Sequence, residues 1–417
     1  MMHKLLEELI IYEDSEYYFA AGDKTEAKDL IKQVVELAYE HGLSGNIWHS
    51  YVAYYIAMAE NAFSLSQENN SKVVSGSLKH LADQDLAILK SVFDYDFYLE
   101  EEELGVTSFP LLWDFEGPEK PKSDLGRRVE QLKDALEKSE DNAAFAKAVS
   151  DFYAKEGAGL LGLSKAFVVK TEGEYYELDP IKNLETVTLD DLIGYQVQKE
   201  KLVANTEAFL EKKPANNVLL YGDGGTGKST SVRAIANKYA GEGLRMIQVY
   251  RHQMQHLNQI ISQIKNRNYR FILYMDDLSF EDFETEYKYL KAVIEGGLAQ
   301  RPENVLIYAT SNRRHLIKET WKDRADLVQD GDMHQSDSKE EKLSLAERFG
   351  IQIYYGKPSI DEFHKIVEAL ADKENLKTDK ETLHKEATKW EIRHGGVSGR
   401  SARQFIDYIK GTEEDIK

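Results

Sequence analysis

Residues Gly222-Asp223-Gly224-Gly225-Thr226-Gly227-Lys228-Ser229 lie between an apolar run, Val218-Leu219-Leu220-Tyr221, and a helix-like segment from Thr230 to Tyr239. Strand, glycine loop and helix in that order make a phosphate cradle, which few folds can carry. The glycines let the backbone turn tightly with successive N–H groups pointing inward, and the helix N-terminus adds partial positive charge. In such a cradle Lys228 reaches the β- and γ-phosphates and the Ser229 hydroxyl holds a magnesium ion, with Thr230 next in line. A glycine-rich connection in an unrelated α/β domain has the same look, so the acids that accompany a phosphate site must be sought elsewhere in the chain.

The run Phe271-Ile272-Leu273-Tyr274-Met275 supplies them, because it ends in Asp276-Asp277. An uninterrupted apolar strand belongs in the centre of a sheet, and its C-terminal edge is where ligands of open α/β sheets bind. Asp276 is the candidate to orient the magnesium ion and Asp277 the candidate to polarise an attacking water. Paired acids can also cap a turn. A third strand, Val305–Ala309, leads into Thr310-Ser311-Asn312. The Asn312 amide both donates and accepts, which suits contact with a γ-phosphate and its attacking water, although asparagine is also a common turn residue.

The strand pattern sets the fold class. Val218–Tyr221, Arg245–Val249, Phe271–Met275, Val305–Ala309 and Ile351–Tyr354 alternate with segments long enough for crossover helices. This predicts an α/β fold, a parallel sheet with helices on both faces. From Ser359 onward only helices follow, Ile360–Lys373, Lys380–Trp390 and Arg400–Lys410, as a small lid. Residues 1–160 read as a mainly helical domain. Leu30, Ile31, Val34, Val35 and Ala38 recur at helix spacing, Asp23 and Glu26 resemble a capping box, and Gly42 ends the helix. Further helices are predicted over Tyr51–Phe63 and Arg127–Lys155, separated by an interruption holding Pro110, Pro118 and Pro121. Tyr51, Tyr54 and Tyr55 could form a binding face or ordinary helix packing. A hairpin, Ala166–Val169 with Glu174–Leu178, reads as a linker over 161–184. The core then spans 185–357 and the lid 358–417.

Composition narrows the chemistry. The 417 residues allow two or three domains with proper cores. No cysteine is present, so disulfides, thiol catalysis and thiolate metal sites are excluded, and the eleven histidines show no metal-ligand spacing. No run approaches a membrane span, and Met1 to Asp14 mixes acids into its apolar positions, unlike a signal peptide. A cytoplasmic location is the expectation. The net charge of −20 opposes non-specific attraction to nucleic acid. The best candidate patch is Arg313, Arg314, Lys318, Lys322 and Arg324, which also fits a solvated helix face.

These spacings resemble the AAA+ superfamily of P-loop ATPases over residues 185 to 410. On that resemblance, Leu189-Asp190-Asp191-Leu192-Ile193-Gly194-Tyr195 is similar to the segment that packs on the adenine, with Ile193, Gly194 and Tyr195 as its contacts. Leu345-Ala346-Glu347-Arg348-Phe349 is similar to the arginine-finger element, and Ser398-Gly399-Arg400 to the second sensor, with Arg403 as the alternative. More narrowly, Asp276-Asp277-Leu278-Ser279-Phe280, Arg301-Pro302 and Tyr308 to Leu316 resemble a bacterial AAA+ group known mainly as a "domain of unknown function". The resemblance implies ATP and Mg2+ as ligands and a homo-oligomer in which Arg348 reaches a neighbour's nucleotide while Arg400 acts in its own subunit. A guanidinium suits both posts, since it stays charged and presents a planar fork of donors to phosphate. The polar stretch Gln329 to Glu341 ahead of Arg348 is expected to be mobile, so that the finger engages conditionally.

Two departures matter. Most of the superfamily has Glu where this chain has Asp277, one methylene shorter. Tyr250-Arg251-His252 lacks the aromatic, apolar, glycine triplet of polypeptide-threading members. Three functions therefore stay in play. One is a magnesium-dependent ATPase remodelling or loading a macromolecular client, a protein in preference to nucleic acid, through the N-terminal helices. Another is a nucleotide-gated switch with little turnover, and the third a nucleic-acid-associated loader.

Overall fold

The computed structural model describes residues 6–13, 19, 23–69, 76–173, 175–181, 184–280, 286–295, 302–312, 316, 345–394 and 396–412. The basic patch from Arg313 to Arg324, Arg301 and the stretch Gln329 to Glu341 lie outside them. The chain divides into two compact units, Met1–Ser164 and Lys165–Lys417.

The first unit is helical. Helix α1 (Lys24–His41) starts where the Asp23 carboxylate accepts the N–H groups of Thr25 and Glu26, and it ends at Gly42, whose φ of 71° is left-handed. The helix predicted over Tyr51–Phe63 is two, α2 (Ile47–Met58) and α3 (Ala62–Glu68). Asn61 cuts the run, because its side chain and that of Ser64 exchange hydrogen bonds with each other's backbone and cap α3. Next come α4 (Gly76–Phe93) and α5 (Tyr98–Leu104), neither of them anticipated. The segment Arg127–Lys155 likewise forms two helices, α6 (Asp124–Glu137) and α7 (Asn142–Glu156), with Asp141 capping the second through the Ala144 N–H at 2.8 Å. A short helix, α8 (Gly159–Leu163), closes the unit. Its core gathers Trp48, Phe93, Phe97, Phe145 and Tyr153. Tyr51 is buried there and donates to Gln33 Oε1 at 2.9 Å, while Tyr54 and Tyr55 pack beside it, so these tyrosines are core.

The second unit is built on one seven-stranded sheet of order β2-β1-β4-β5-β6-β3-β7. Its strands are β1 (Ala166–Glu172), β2 (Tyr175–Pro180), β3 (Val218–Gly222), β4 (Leu244–Gln248), β5 (Arg270–Met275), β6 (Val305–Ser311) and β7 (Ile351–Tyr355). Only β1 and β2 pair antiparallel; every other pairing is parallel. The hairpin is therefore part of the sheet rather than a linker, because β1 pairs with β4 through Ala166 to Val168. Helices α9 (Gln196–Leu210), α10 (Lys228–Tyr239), α11 (Leu257–Ile264) and α12 (Tyr287–Glu295) connect and cover the strands. One face of the sheet packs Ile272, Tyr274, Leu306 and Tyr308 against Val232, Ile235, Ala236 and Tyr239 of α10.

The lid consists of α13 (Ile360–Lys373), α14 (Lys380–His394) and α15 (Gly399–Thr412). They close on a core of their own around Phe363, Val367, Leu383, Ala402, Phe405 and Ile406, with Ile193 packed against it. Burial of each large side chain there contributes about 1.5–3 kcal/mol, which holds the lid together as one body. Among the described residues no helix is long and apolar enough to cross a membrane.

Candidate functional site

The glycine loop leaves β3 and turns directly into α10, and sterics dictate two of its residues. Gly222 has a φ of 132°, and a Cβ there would stand 2.2 Å from the Tyr355 carbonyl oxygen. Gly227 has a φ of 91°, and its Cβ would meet the Leu192 side chain at 2.1 Å. Any other residue at Gly222 would push the loop off β7, and at Gly227 a side chain would be strained by the left-handed backbone and would displace Leu192. The Lys228 ammonium is buried within the turn and donates to Gly222 O at 3.0 Å, Asp223 O at 2.6 Å and Asn312 Oδ1 at 2.9 Å. Burial pushes its pKa down, against the pull of Asp223, Asp277 and Asp276.

The two acids emerge from β5 beside the loop. Asp276 Oδ1 accepts from Ser229 Oγ and from Thr310 Oγ1, both at 2.6 Å, and Arg233 stands 3.9 Å from its Oδ2. Burial alone would raise this carboxyl; the surrounding hydroxyls and Arg233 outweigh it and hold its pKa below the ordinary value. Asp277 adopts a φ of 50°, left-handed for a residue with a Cβ. Thr310 stabilises that turn, since its hydroxyl accepts the Asp277 N–H at 2.9 Å while donating to Asp276. The Asp277 carboxylate in turn accepts from Asn312 Nδ2 at 2.8 Å. Lys228, Asn312 and Asp277 thus form one hydrogen-bonded chain, drawn from three separate segments by the order β5-β6-β3.

These groups line a cleft of about 820 Å³, which also takes in Leu192, Ile193, Tyr195, Ile366, Leu370 and Arg400. That volume suits a nucleotide-sized ligand. Nothing lies within 4 Å of where a Gly224 Cβ would stand, so the loop has room on its cleft side. Gly225, Thr226, Ser229 and Thr230 also line the cleft, whereas Gly194, Gly222 and Asp223 do not. Tyr195 is fixed by stacking on Tyr355 and by donating to Gly356 O at 2.8 Å. Among the described residues no group of three or more His, Asp or Glu could hold a metal by itself. One hydroxyl and one carboxylate, Ser229 and Asp276, match a magnesium-type ion that keeps waters and takes phosphate oxygens as its other ligands.

The arginines separate. Arg400 lines the cleft, and its N–H donates to Gly225 O at 3.3 Å. Arg403 also borders the cleft, but its guanidinium pairs with Glu374 at 2.9 Å and Asp407 at 3.1 Å. Arg348 is not brought into the cleft of its own chain and pairs with Glu295 at the end of α12. Sequence reasoning missed Thr310, Arg233 and Tyr274. The period of two along a strand was the available signal, placing Tyr274 on the side of Asp276 and Thr310 on the side of Asn312. Burial first, and then the charge of Asp276, push the pKa of the Tyr274 hydroxyl up; it stands beside Ser229, Asp276 and Thr310, yet it completes no well-formed hydrogen bond.

A glycine loop after β3, acids after β5, an amide after the intervening β6 and a three-helix lid over the cleft define a P-loop nucleotide-binding fold of the AAA+ type. Within that class the chain belongs to the family described as "Protein of unknown function (DUF815)", whose model matches residues 163–413. No curated protein matches the chain. Among solved structures it is similar to the Thermotoga maritima RuvB Holliday junction branch migration motor, with 16% identity, 56% of this chain and 76% of that chain covered, and a TM-score of 0.33. A mutant form of the same protein aligns at 16% identity over 54% of this chain and 73% of its own, with a TM-score of 0.34.

Proposed function

We propose that the second unit binds ATP with Mg2+ and hydrolyses it, working in a homo-oligomer that remodels or loads a macromolecular client through the helical first unit. The observation that carries the reading is the convergence of Lys228, Ser229, Asp276, Asp277 and Asn312 in one cleft at the C-terminal ends of parallel strands. Held at Ser229 and Asp276, the cation would offset negative charge growing on the phosphoryl oxygens. Lys228 exchanges its loop carbonyls and Asn312 for phosphate oxygens. Asn312, released from Lys228, is free to contact the third phosphate, and Asp277 accepts the proton of the attacking water. Ile193 and Tyr195 form the wall against the adenine, and Arg400 reaches the phosphates from the lid. Steady-state phosphate release by the purified full chain, measured against Mg2+ and protein concentration, tests the reading. No release at any concentration, with ATP nevertheless bound, would leave only the switch.

The switch reading is favoured by two contacts. The Asp277 carboxylate is held by Asn312, and Arg348 is paired with Glu295 of its own chain, so both groups that only hydrolysis needs are engaged elsewhere. An enzyme in this state binds nucleotide and waits for a neighbour or a client to redirect them.

A further inference from the structure

Tyr274 is the one aromatic residue of β5 that packs on the same sheet face as α10, two positions before Asp276. It is 3% exposed, and its hydroxyl is among the few buried polar side-chain atoms of the described residues with no hydrogen-bond partner. A buried hydroxyl left in that condition costs stability, and phenylalanine would fill the same space without the cost. The position therefore has a reason to be tyrosine that the protein alone does not supply. The hydroxyl points into the polar corner made by Ser229 Oγ, Asp276 Oδ1 and Thr310 Oγ1, whose own hydrogen bonds are already made among themselves. What such a corner lacks is a small polar ligand with hydrogen-bonding capacity to spare.

We infer that Tyr274 is a positioning residue of the cation site, its hydroxyl serving as a hydrogen-bond partner for the water shell of a divalent cation held at Ser229 and Asp276. The inference rests on the proposed nucleotide site and deepens it. Small hydrated cations keep several waters when bound, and groups that orient those waters govern affinity much as groups that orient direct ligands do. Thr310 fixes the carboxylate from one side, and Tyr274 fixes the waters from the other.

Tyr274→Phe in the full chain tests this through three readings: the thermal midpoint without ligand, ADP affinity by calorimetry in excess chelator, and the Mg2+ concentration that half-saturates the tightening of ADP binding. The expected result is a midpoint equal to or above wild type, unchanged ADP affinity in chelator, and a requirement for about tenfold more Mg2+. Half-saturation within twofold of wild type would overturn the inference while leaving the nucleotide site standing. A lowered midpoint with unchanged Mg2+ dependence would overturn it too, by making the hydroxyl a packing group. ADP that fails to bind wild type at all would instead sink the proposed function, and this inference with it.

Discussion

At the scale of single residues, the site is a set of charges that satisfy one another until a ligand competes for them. Lys228 illustrates this, with its ammonium spread over two loop carbonyls and Asn312. Phosphate oxygens are better acceptors because the hydrogen bond is then charged at both ends. Lys228→Ala should weaken ATP binding by about 2–3 kcal/mol, on the order of a hundredfold, and leave the fold intact. Calorimetry on the folded variant giving wild-type affinity would remove the cradle from the proposal. Asp277→Asn keeps the shape and loses the basicity, so ATP affinity should hold while phosphate release falls by about a hundredfold or more. Undiminished release would move water activation to another group. The identities of Lys228, Ser229, Asp276, Asp277 and Asn312 as site candidates were legible because glycine loops and strand-end acids leave local patterns. For Thr310 and Tyr274 the period of two gave only the side of the strand; that the Thr310 hydroxyl bridges two acids becomes visible only once β6 is laid beside β5.

At the scale of elements, local chemistry decides boundaries and long-range pairing decides membership. The breaks that separate α2 from α3 and α6 from α7 lie inside Tyr51–Phe63 and Arg127–Lys155, stretches that each read as a single helix in the sequence. It is the Asn61 and Asp141 caps that cut them. Substituting either cap by Ala should cost about 1 kcal/mol in chemical denaturation. The hairpin was legible as a hairpin, but its place in the sheet depends on β1 pairing with β4, some eighty positions away in sequence, and no local signal carries that. The lid was legible as three helices; what fastens it was not. Asp191, ahead of α9, pairs with Lys373 at the end of α13 and accepts the Thr188 N–H at 2.7 Å. Lys373 first, and Thr188 next, push the Asp191 carboxyl down to about 2. A depressed carboxyl contributes stability that is complete above its unfolded pKa of about 3.9 and is lost as pH falls through the folded value. The fastening is therefore fully made at neutral pH and released between about pH 4 and pH 2. Lys373→Ala should raise the Asp191 pKa toward the ordinary value in an NMR titration. Because the pair is solvent-exposed and worth about 0.2–1 kcal/mol, nucleotide affinity should fall by no more than about fivefold. An unmoved Asp191 titration would mean the ion pair does not form in solution.

At the scale of the whole molecule, the issue is whether one chain carries a complete site. Its own cleft gathers cradle, acids, amide and Arg400, and Arg348 is held away from it by Glu295. If Arg348 completes a neighbour's site, turnover per subunit must rise with protein concentration as assembly supplies the missing charge. Arg348→Ala should then bind ATP as tightly as wild type and turn over on the order of a thousandfold more slowly. Glu295→Gln, which loosens the intramolecular pairing, should shift the concentration dependence toward lower protein, because less free energy is needed to redirect the guanidinium. Mixing Arg348→Ala with Lys228→Ala chains is the decisive arrangement. Neither chain has both parts, yet an interface that sets an intact cradle against an intact arginine reappears wherever the two alternate, so activity should recover above the sum of the separate variants. Recovery requires the charge to cross a subunit boundary. Concentration-independent turnover from a chain that sedimentation shows to be strictly monomeric, with no gain on mixing, would assign Arg348 to its own subunit's salt bridge and nothing more.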